Sequence, residues 1–405
     1  MAADGYAARQ ESVGRALAGW QGALEGMEVN PDFWQGKRLG KFGRRMDASL
    51  VVKDDLERII KDLENDLLKL GGSRFLITGA GGFLGFYLVN VLAFWNAKNP
   101  DRKTLIYACD NFFRGRPQWL KKLEESNELV LIEHDITQPL PEKLGSFEFI
   151  IHAASIASPT FYRKFPIETM DANVNGLRLI LDRCVNDKLT KGLLYFSTSE
   201  IYGDPYKDDI PTPETYRGNV SCTGPRACYD ESKRFGETLC VSFSQVHNVP
   251  AKIARPFNNY GPGLKITDGR VLPDFCSNIF LNQDIVLLSD GSPTRTFCYV
   301  SDAITGYFKI LFSGRNGEAY NIGVETPEIS MLELAKKVIK IGSNHFDYKG
   351  KLIFGQSSEK EYLTDNPQRR CPIIEKAKIE LNYKPKVDID MGLLNSMYWY
   401  SQNLE

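Results

Sequence analysis

The chain is poor in the residues on which metal chemistry and secretion depend. It holds four histidines and eight cysteines, and no two cysteines form a C-x-x-C pair. No metal is expected from that spacing, and the simplest state for the cysteines is reduced thiols in a cytoplasmic protein. No uninterrupted apolar run approaches the roughly 18 residues of a membrane helix, so no membrane partner is expected. The first residues carry no basic-then-apolar leader pattern. Excess positive charge is missing too. Lys and Arg number 50 against 51 Asp and Glu, for a net charge of -1, which removes the electrostatic footprint of a nucleic-acid binder. Internal repeats and low-complexity tracts are absent. What remains, 405 residues with 42% hydrophobic and 25% charged side chains, suits a globular enzyme of one large or two medium domains.

The first fifty residues say least. Five of the nine residues Lys37–Arg45 are basic, and a solvated, flexible extension over 1–50 is the plain reading. Between 51 and 72 the pattern changes. Leu56, Ile59, Ile60, Leu63, Leu67 and Leu68 recur at helical spacing up to Gly71-Gly72, predicting an amphipathic helix that lies on the main domain or on a second subunit.

Residues 73–255 read as a nucleotide-binding unit. Phe75–Thr78 is a short buried strand, Gly79-Ala80-Gly81-Gly82-Phe83-Leu84-Gly85 a turn, and Phe86–Trp95 an apolar-faced helix. Glycines at 79, 82 and 85 let the backbone approach a pyrophosphate, and the helix N-terminus offers it N–H groups and a favourable dipole. The next strand, Thr104–Cys109, ends at Asp110. A carboxylate there binds the adenine ribose hydroxyls and repels a 2′-phosphate, which favours NAD over NADP. Arg114 and Arg116 are close enough in sequence to argue the other way. Asp135, after the strand Leu129–Glu133, is placed for the adenine edge, and His152-Ala153-Ala154 follows a fourth strand, Phe147–Ile151. This alternation predicts an α/β, Rossmann-like, doubly wound parallel sheet.

The stretch from Leu193 to Arg234 carries the chemistry. An apolar strand, Leu193–Phe196, delivers Ser197-Thr198-Ser199-Glu200 to its carboxyl end, where open α/β sheets bind ligands. Tyr229 and Lys233 stand four apart, on one helix face. A nearby ammonium lowers a phenol's pKa, so the pair predicts a tyrosine base assisted by lysine, with Thr198 hydrogen-bonding the same hydroxyl. A surface Tyr and Lys sharing a helix face by chance is the plain alternative; the glycine turn upstream argues against it. Residues 256–405 show a looser pattern. Gly269–Asn282, Asp302–Leu311 and Ser330–Ile341 read as helices, Ile285–Leu288 and Thr296–Val300 as strands. They predict a smaller substrate-binding lobe with segments returning to the nucleotide domain.

With these motifs in order, the chain from Arg74 onward resembles the extended short-chain dehydrogenase/reductases. Within them it resembles the UDP-glucuronate decarboxylases. The words that carry this are Asp110-Asn-Phe-Phe-Arg-Gly-Arg116, His134-Asp-Ile136, Ala154-Ser-Ile-Ala-Ser-Pro159, Ser197–Pro205 and Gly224–Arg234. Arg295 in Pro-Thr-Arg-Thr-Phe-Cys-Tyr-Val and Arg370 in Asn-Pro-Gln-Arg-Arg-Cys-Pro complete them. The resemblance implies oxidation at the sugar C4 with hydride passing to NAD, loss of carbon dioxide from the β-keto acid, and return of the hydride. It implies Tyr229 as base, Lys233 as its partner, Thr198 as hydroxyl partner, Ser199 and Glu200 near C5, and Arg370 at the carboxylate. Asn111, Ile136, Ala153, Ala154 and Pro256 join the residues expected at NAD. Ser158, Asn258, Arg270 and Arg295 are expected at the nucleotide-sugar, and a homodimer is expected by analogy.

Neighbouring reactions remain open at this point. The 4,6-dehydratases place Asp-Glu where this chain has Ser199-Glu200; expelling water from C6 needs an acid, and serine is too weak a one. Glu200 speaks against a 4-epimerase, whose relatives usually lack an acid there. Asn258–Gly263, in contrast, is nearer to dehydratase wording, and Cys371 stands where the decarboxylases carry a basic residue. An apiose-forming synthase and a non-catalytic NAD-binding scaffold are the further alternatives.

Overall fold

The structure is a computed structural model that describes residues 47–356, 364 and 366–404. The reading of residues 1–46 as a solvated extension lies outside them. The described residues form one compact unit.

Its centre is a seven-stranded sheet in the order β11-β6-β5-β4-β1-β2-β3, with every neighbouring pair parallel. The strands are β1 (Arg74–Thr78), β2 (Leu105–Asp110), β3 (Val130–Glu133), β4 (Phe149–His152), β5 (Gly192–Phe196), β6 (Ala251–Pro256) and β11 (Ala319–Ile322). β4 and β5 are buried along their whole length, as central strands covered on both faces must be. The order reverses between β1 and β4, and a crevice opens there outside the strands' carboxyl ends.

Two elements were only partly legible. The N-terminal helix α1 (Ala48–Leu67) begins earlier than its apolar repeat, capped by the Asp47 carboxylate on the Ser49 N–H. It lies on its own chain, against α2 (Phe83–Lys98), α9 (Val300–Ser313) and α12 (Ile389–Tyr400). Leu68 is its exposed cap, not part of the buried face. The strand expected over Thr296–Val300 is instead two short pairings, β9 (Thr294–Arg295) and β10 (Cys298–Tyr299), with Val300 already starting α9. The apolar run Cys298–Val300 hides that change of period.

The polypeptide after 256 does return to the sheet, through β11 and α9. The rest of it builds small pairings: β7 (Asn259–Tyr260) with β10, β8 (Ile285–Leu287) with β13 (Leu352–Phe354), and β9 between β12 (Ile329–Ser330) and β14 (Arg369–Arg370). Helices α8 (Val271–Leu281) and α10 (Met331–His345) pack on these.

Candidate active site

The glycine turn sits where β1 meets α2. Gly79 has φ +71°, and a Cβ on it would lie 2.7 Å from Ala153 backbone atoms, while one on Gly85 would lie 2.4 Å from the Gly79 carbonyl oxygen. Only glycine fits either place. No side chain caps the N-terminus of α2. The next glycine, Gly81, donates its N–H to Asp110 Oδ2 at 2.9 Å, and the Phe112 N–H donates to Oδ1 at 2.7 Å. A bare turn, an open helix end and a fixed carboxylate fit a dinucleotide's pyrophosphate and ribose.

Asp135 is braced by the Thr137 N–H and hydroxyl, with Ile136 buried next to it. His152, at the end of β4, shares a hydrogen bond with Thr78 Oγ1 at 2.9 Å, and its Nε2 is buried without a partner. Burial, with a smaller contribution from Lys233, holds its pKa near 3, so the ring is neutral. Arg114 and Arg116 are both engaged by acids, Asp268 and Glu133. Phe83 and Leu84 begin α2, Asn111 follows β2, Ala154 lies two residues past β4, and Pro256 ends β6.

Thr198 follows β5 by two residues and caps a single tight turn, Ser199–Tyr202, accepting the Glu200 N–H. Opposite stands α7 (Ala227–His247), with Tyr229 and Lys233 buried on one face. The Thr198 hydroxyl is near enough to the Tyr229 phenol to favour its ionised form. The phenol ring stacks on Tyr162, with centroids 5.0 Å apart and planes within 9°. Lys233 Nζ lies 5.8 Å from that ring's centroid and donates to the Phe196 carbonyl at 2.7 Å.

Burial outweighs the expected lowering of the phenol. It pushes Tyr229 up to about 12, against the lowering influence of Thr198 and then Arg270. The same desolvation brings Lys233 down to about 7, so its charge is itself costly in the closed pocket.

Glu200 is the most heavily engaged group. Arg370 Nη2 donates to its Oε2 at 2.8 Å, and Arg226 donates to the same oxygen. Burial alone would raise this acid, but Arg226, Arg370 and Arg295 overcome it and hold Glu200 at about 2. Arg370, 2% exposed, also donates to the Ser199 carbonyl. Asp230 lies 3.6 Å from Arg226 Nε. Burial and then Glu200 push it up to about 7, with Arg226 and Arg370 opposing. Two cations thus serve two carboxylates, and the acids titrate far apart.

Among the expected substrate residues, Ser158 Oγ donates to the Asp268 carbonyl at 2.8 Å and Arg270 Nε stands 3.1 Å from Asp268 Oδ1. Asn258, at φ +41°, donates to the Thr296 carbonyl at 2.8 Å. Arg295 turns to the segment before Arg370, donating to the carbonyls of Pro367 and Gln368. Arg226, Asp230 and Tyr162 were not anticipated. The first two carry a signal, a cation and an acid four apart on the face beside Tyr229; Tyr162 carries none. Among the described residues no cluster of side chains could hold a metal ion, and no helix is long and apolar enough to cross a membrane.

The chain is similar to known proteins. A UDP-glucuronic acid decarboxylase 3 of Arabidopsis thaliana is 38% identical over 320 residues, 79% of this chain and 86% of the relative. A UDP-glucuronic acid decarboxylase 1 of Xenopus tropicalis is 33% identical over 335 residues, 82% of this chain and 73% of the relative. The fold is shared with a dTDP-glucose 4,6-dehydratase of Bacillus anthracis solved with NAD, at TM-score 0.67 and 22% identity over 82% of this chain and 97% of that one. Residues 75–323 match the NAD dependent epimerase/dehydratase family, and the chain belongs to it.

Proposed function

We propose that this enzyme converts UDP-glucuronate to UDP-xylose by a redox-neutral decarboxylation with NAD as cofactor. The observation that carries the reading is the pair Ser199 and Glu200. The first is no acid, and the second is kept ionised by Arg226 and Arg370. A 4,6-dehydration needs a proton donor for the departing C6 oxygen, and neither side chain offers one. The curated relatives named UDP-glucuronic acid decarboxylase support the same choice.

Bound NAD supplies the hydride acceptor and later the donor. Tyr229 takes the C4 hydroxyl proton, Thr198 holds that oxygen, and Lys233 favours the phenolate when charged. A ketone at C4 makes the sugar a β-keto acid. The bond from C5 to the carboxyl carbon then breaks, its electrons pass to the C4 carbonyl, carbon dioxide leaves, and the enolate takes a proton from water at C5. Return of hydride to C4, with the Tyr229 proton to its oxygen, completes the cycle.

Arg370 reaches a substrate carboxylate only in competition with Glu200. A carboxylate left partly uncompensated loses carbon dioxide more readily than one firmly paired. Arg295 and Arg270 suit the diphosphate, since a planar guanidinium fits phosphate better than lysine does.

A cytoplasmic homodimer belongs to the same proposal. Its support is the apolar surface of neighbouring helices: Ile167 and Met170 on α5 (Pro166–Met170), and Phe235 and Val246 on α7, are exposed. The deciding experiment incubates the purified protein with UDP-glucuronate and NAD and follows the nucleotide sugar by NMR and mass spectrometry. Loss of the mass of carbon dioxide with a xylose spin system is expected. An unchanged mass with a galacturonate spectrum would make the enzyme a 4-epimerase.

A further inference from the structure

The loop between β7 and α8 touches the segments that follow three central strands, β1, β2 and β4. At Gly263 it presses on α2, so closely that a Cβ there would meet the Phe86 ring at 2.8 Å. Leu264 and Ile266 are buried along it. Lys265 Nζ then donates to the Arg114 carbonyl at 2.8 Å. The Arg114 guanidinium lies 4.6 Å from the Phe161 ring centroid and donates to Asp268 Oδ2 at 2.7 Å. The Asp268 carbonyl accepts from Ser158, and its Oδ1 faces Arg270 at 3.1 Å, an ion-pair contact not aligned as a hydrogen bond. The loop therefore joins the helix after β1, the turn after β2 and the segment after β4. These three line the crevice in which a dinucleotide lies. Asp268 is 3% exposed, and a carboxylate so buried depends on its cations.

We propose that the Arg114–Asp268 ion pair is a clasp that holds residues 263–270 across the cofactor groove, and so keeps reduced cofactor and ketone together until hydride is returned. The retention of cofactor rests only on family membership; the effect on product rests on the decarboxylase reading. A redox-neutral cycle makes reduced cofactor and a ketone in its first half and consumes both in its second. If either leaves between the halves, a free 4-ketopentose is the product and the protein is left without oxidised cofactor. Arg114 is thereby a positioning residue, committed to Asp268 and unavailable to a 2′-phosphate.

The test loads the full-length protein with NAD and measures cofactor dissociation by chase, without substrate. Arg114→Met and Asp268→Asn are each expected to speed dissociation about tenfold, the equivalent of roughly 1.4 kcal/mol. The double variant should add little to either, because a coupled pair is lost once. Arg114→Lys should recover part of the retention. With UDP-glucuronate, the single variants should release 4-ketopentose and NADH in amounts the wild type does not. Dissociation rates within twofold of wild type in folded single variants would overturn the clasp, as would effects that multiply in the double variant. If neither variant folds, wild-type dissociation decides: it should quicken with added KCl, and indifference to salt counts against the clasp. A wild type that binds NAD yet leaves UDP-glucuronate intact would remove the product half, while the dissociation cycle still decides the clasp.

Discussion

Arg370 donates to the same carboxylate oxygen of Glu200, Oε2, that Arg226 also holds. One acid thus keeps two guanidiniums from an incoming uronate. Replacing Glu200 by Gln keeps the shape but frees Arg370 for the substrate carboxylate. Steady-state kinetics should show kcat lower by about 10²-fold or more with KM unchanged or lower, the pattern of a ground state bound too well. A higher KM with unchanged kcat would make Glu200 a plain binding group.

The hydroxyl beside it separates reaction types. Ser199→Asp supplies the carboxyl group that a dehydratase needs at this position, but the Ser199 backbone stays bound to Arg370 and Glu200 stays between its arginines. The variant should lose decarboxylation without acquiring a 4-keto-6-deoxy product from UDP-glucose or dTDP-glucose. Mass spectrometry reads the outcome, and appearance of that product would mean the scaffold is a dehydratase lacking one acid.

Tyr229→Phe tests the base. The ring still stacks on Tyr162, and α7 keeps its buried face, so NAD should remain bound at wild-type stoichiometry. Turnover should fall by about 10²- to 10⁴-fold, the usual contribution of a positioned base. Full activity would remove the phenol from the mechanism.

How much of this was legible follows from where the information lies. The turn at Gly79–Gly85 and the strand leading to Thr198 are local, because short-range geometry demands glycines and an apolar run. β6 escaped notice because Lys252 and Arg255 interrupt it. Both are buried, Lys252 on the Leu311 carbonyl and Arg255 against Glu237 and Tyr202, partners no spacing rule foretells. β11 hides likewise behind Asn321, which spends its amide on the Thr212 and Ile373 carbonyls. Glu200 could be named from its motif, but its state is set by Arg226 and Arg370, 26 and 170 residues away. The direction of the Tyr229 shift was misread for a related reason: the sequence shows the lysine four residues on, while burial comes from the whole fold.

Beside its buried apolar face, α1 is tied to two other elements by one buried carboxylate. Asp55 Oδ2 accepts from the Tyr87 phenol on α2 at 2.6 Å and from the Tyr299 phenol on β10 at 2.8 Å. It is 0% exposed. Burial raises it to about 6, with the two phenols and Arg58 opposing the rise. Asp55→Ala strands two buried hydroxyls, each costing about 1–3 kcal/mol, and should lower Tm by several degrees or more. Asp55→Asn keeps an acceptor and should lose less. The pH dependence has a fixed sign. A carboxyl whose folded pKa lies near 6, above the unfolded value of about 3.9, contributes stability that is full below about pH 4 and lost as pH rises to about 6. Asparagine does not titrate, so the wild-type advantage over Asp55→Asn should shrink between pH 4.5 and 7 in thermal melts. An advantage that grows over that range would mean Asp55 is ionised throughout and better solvated than its burial implies.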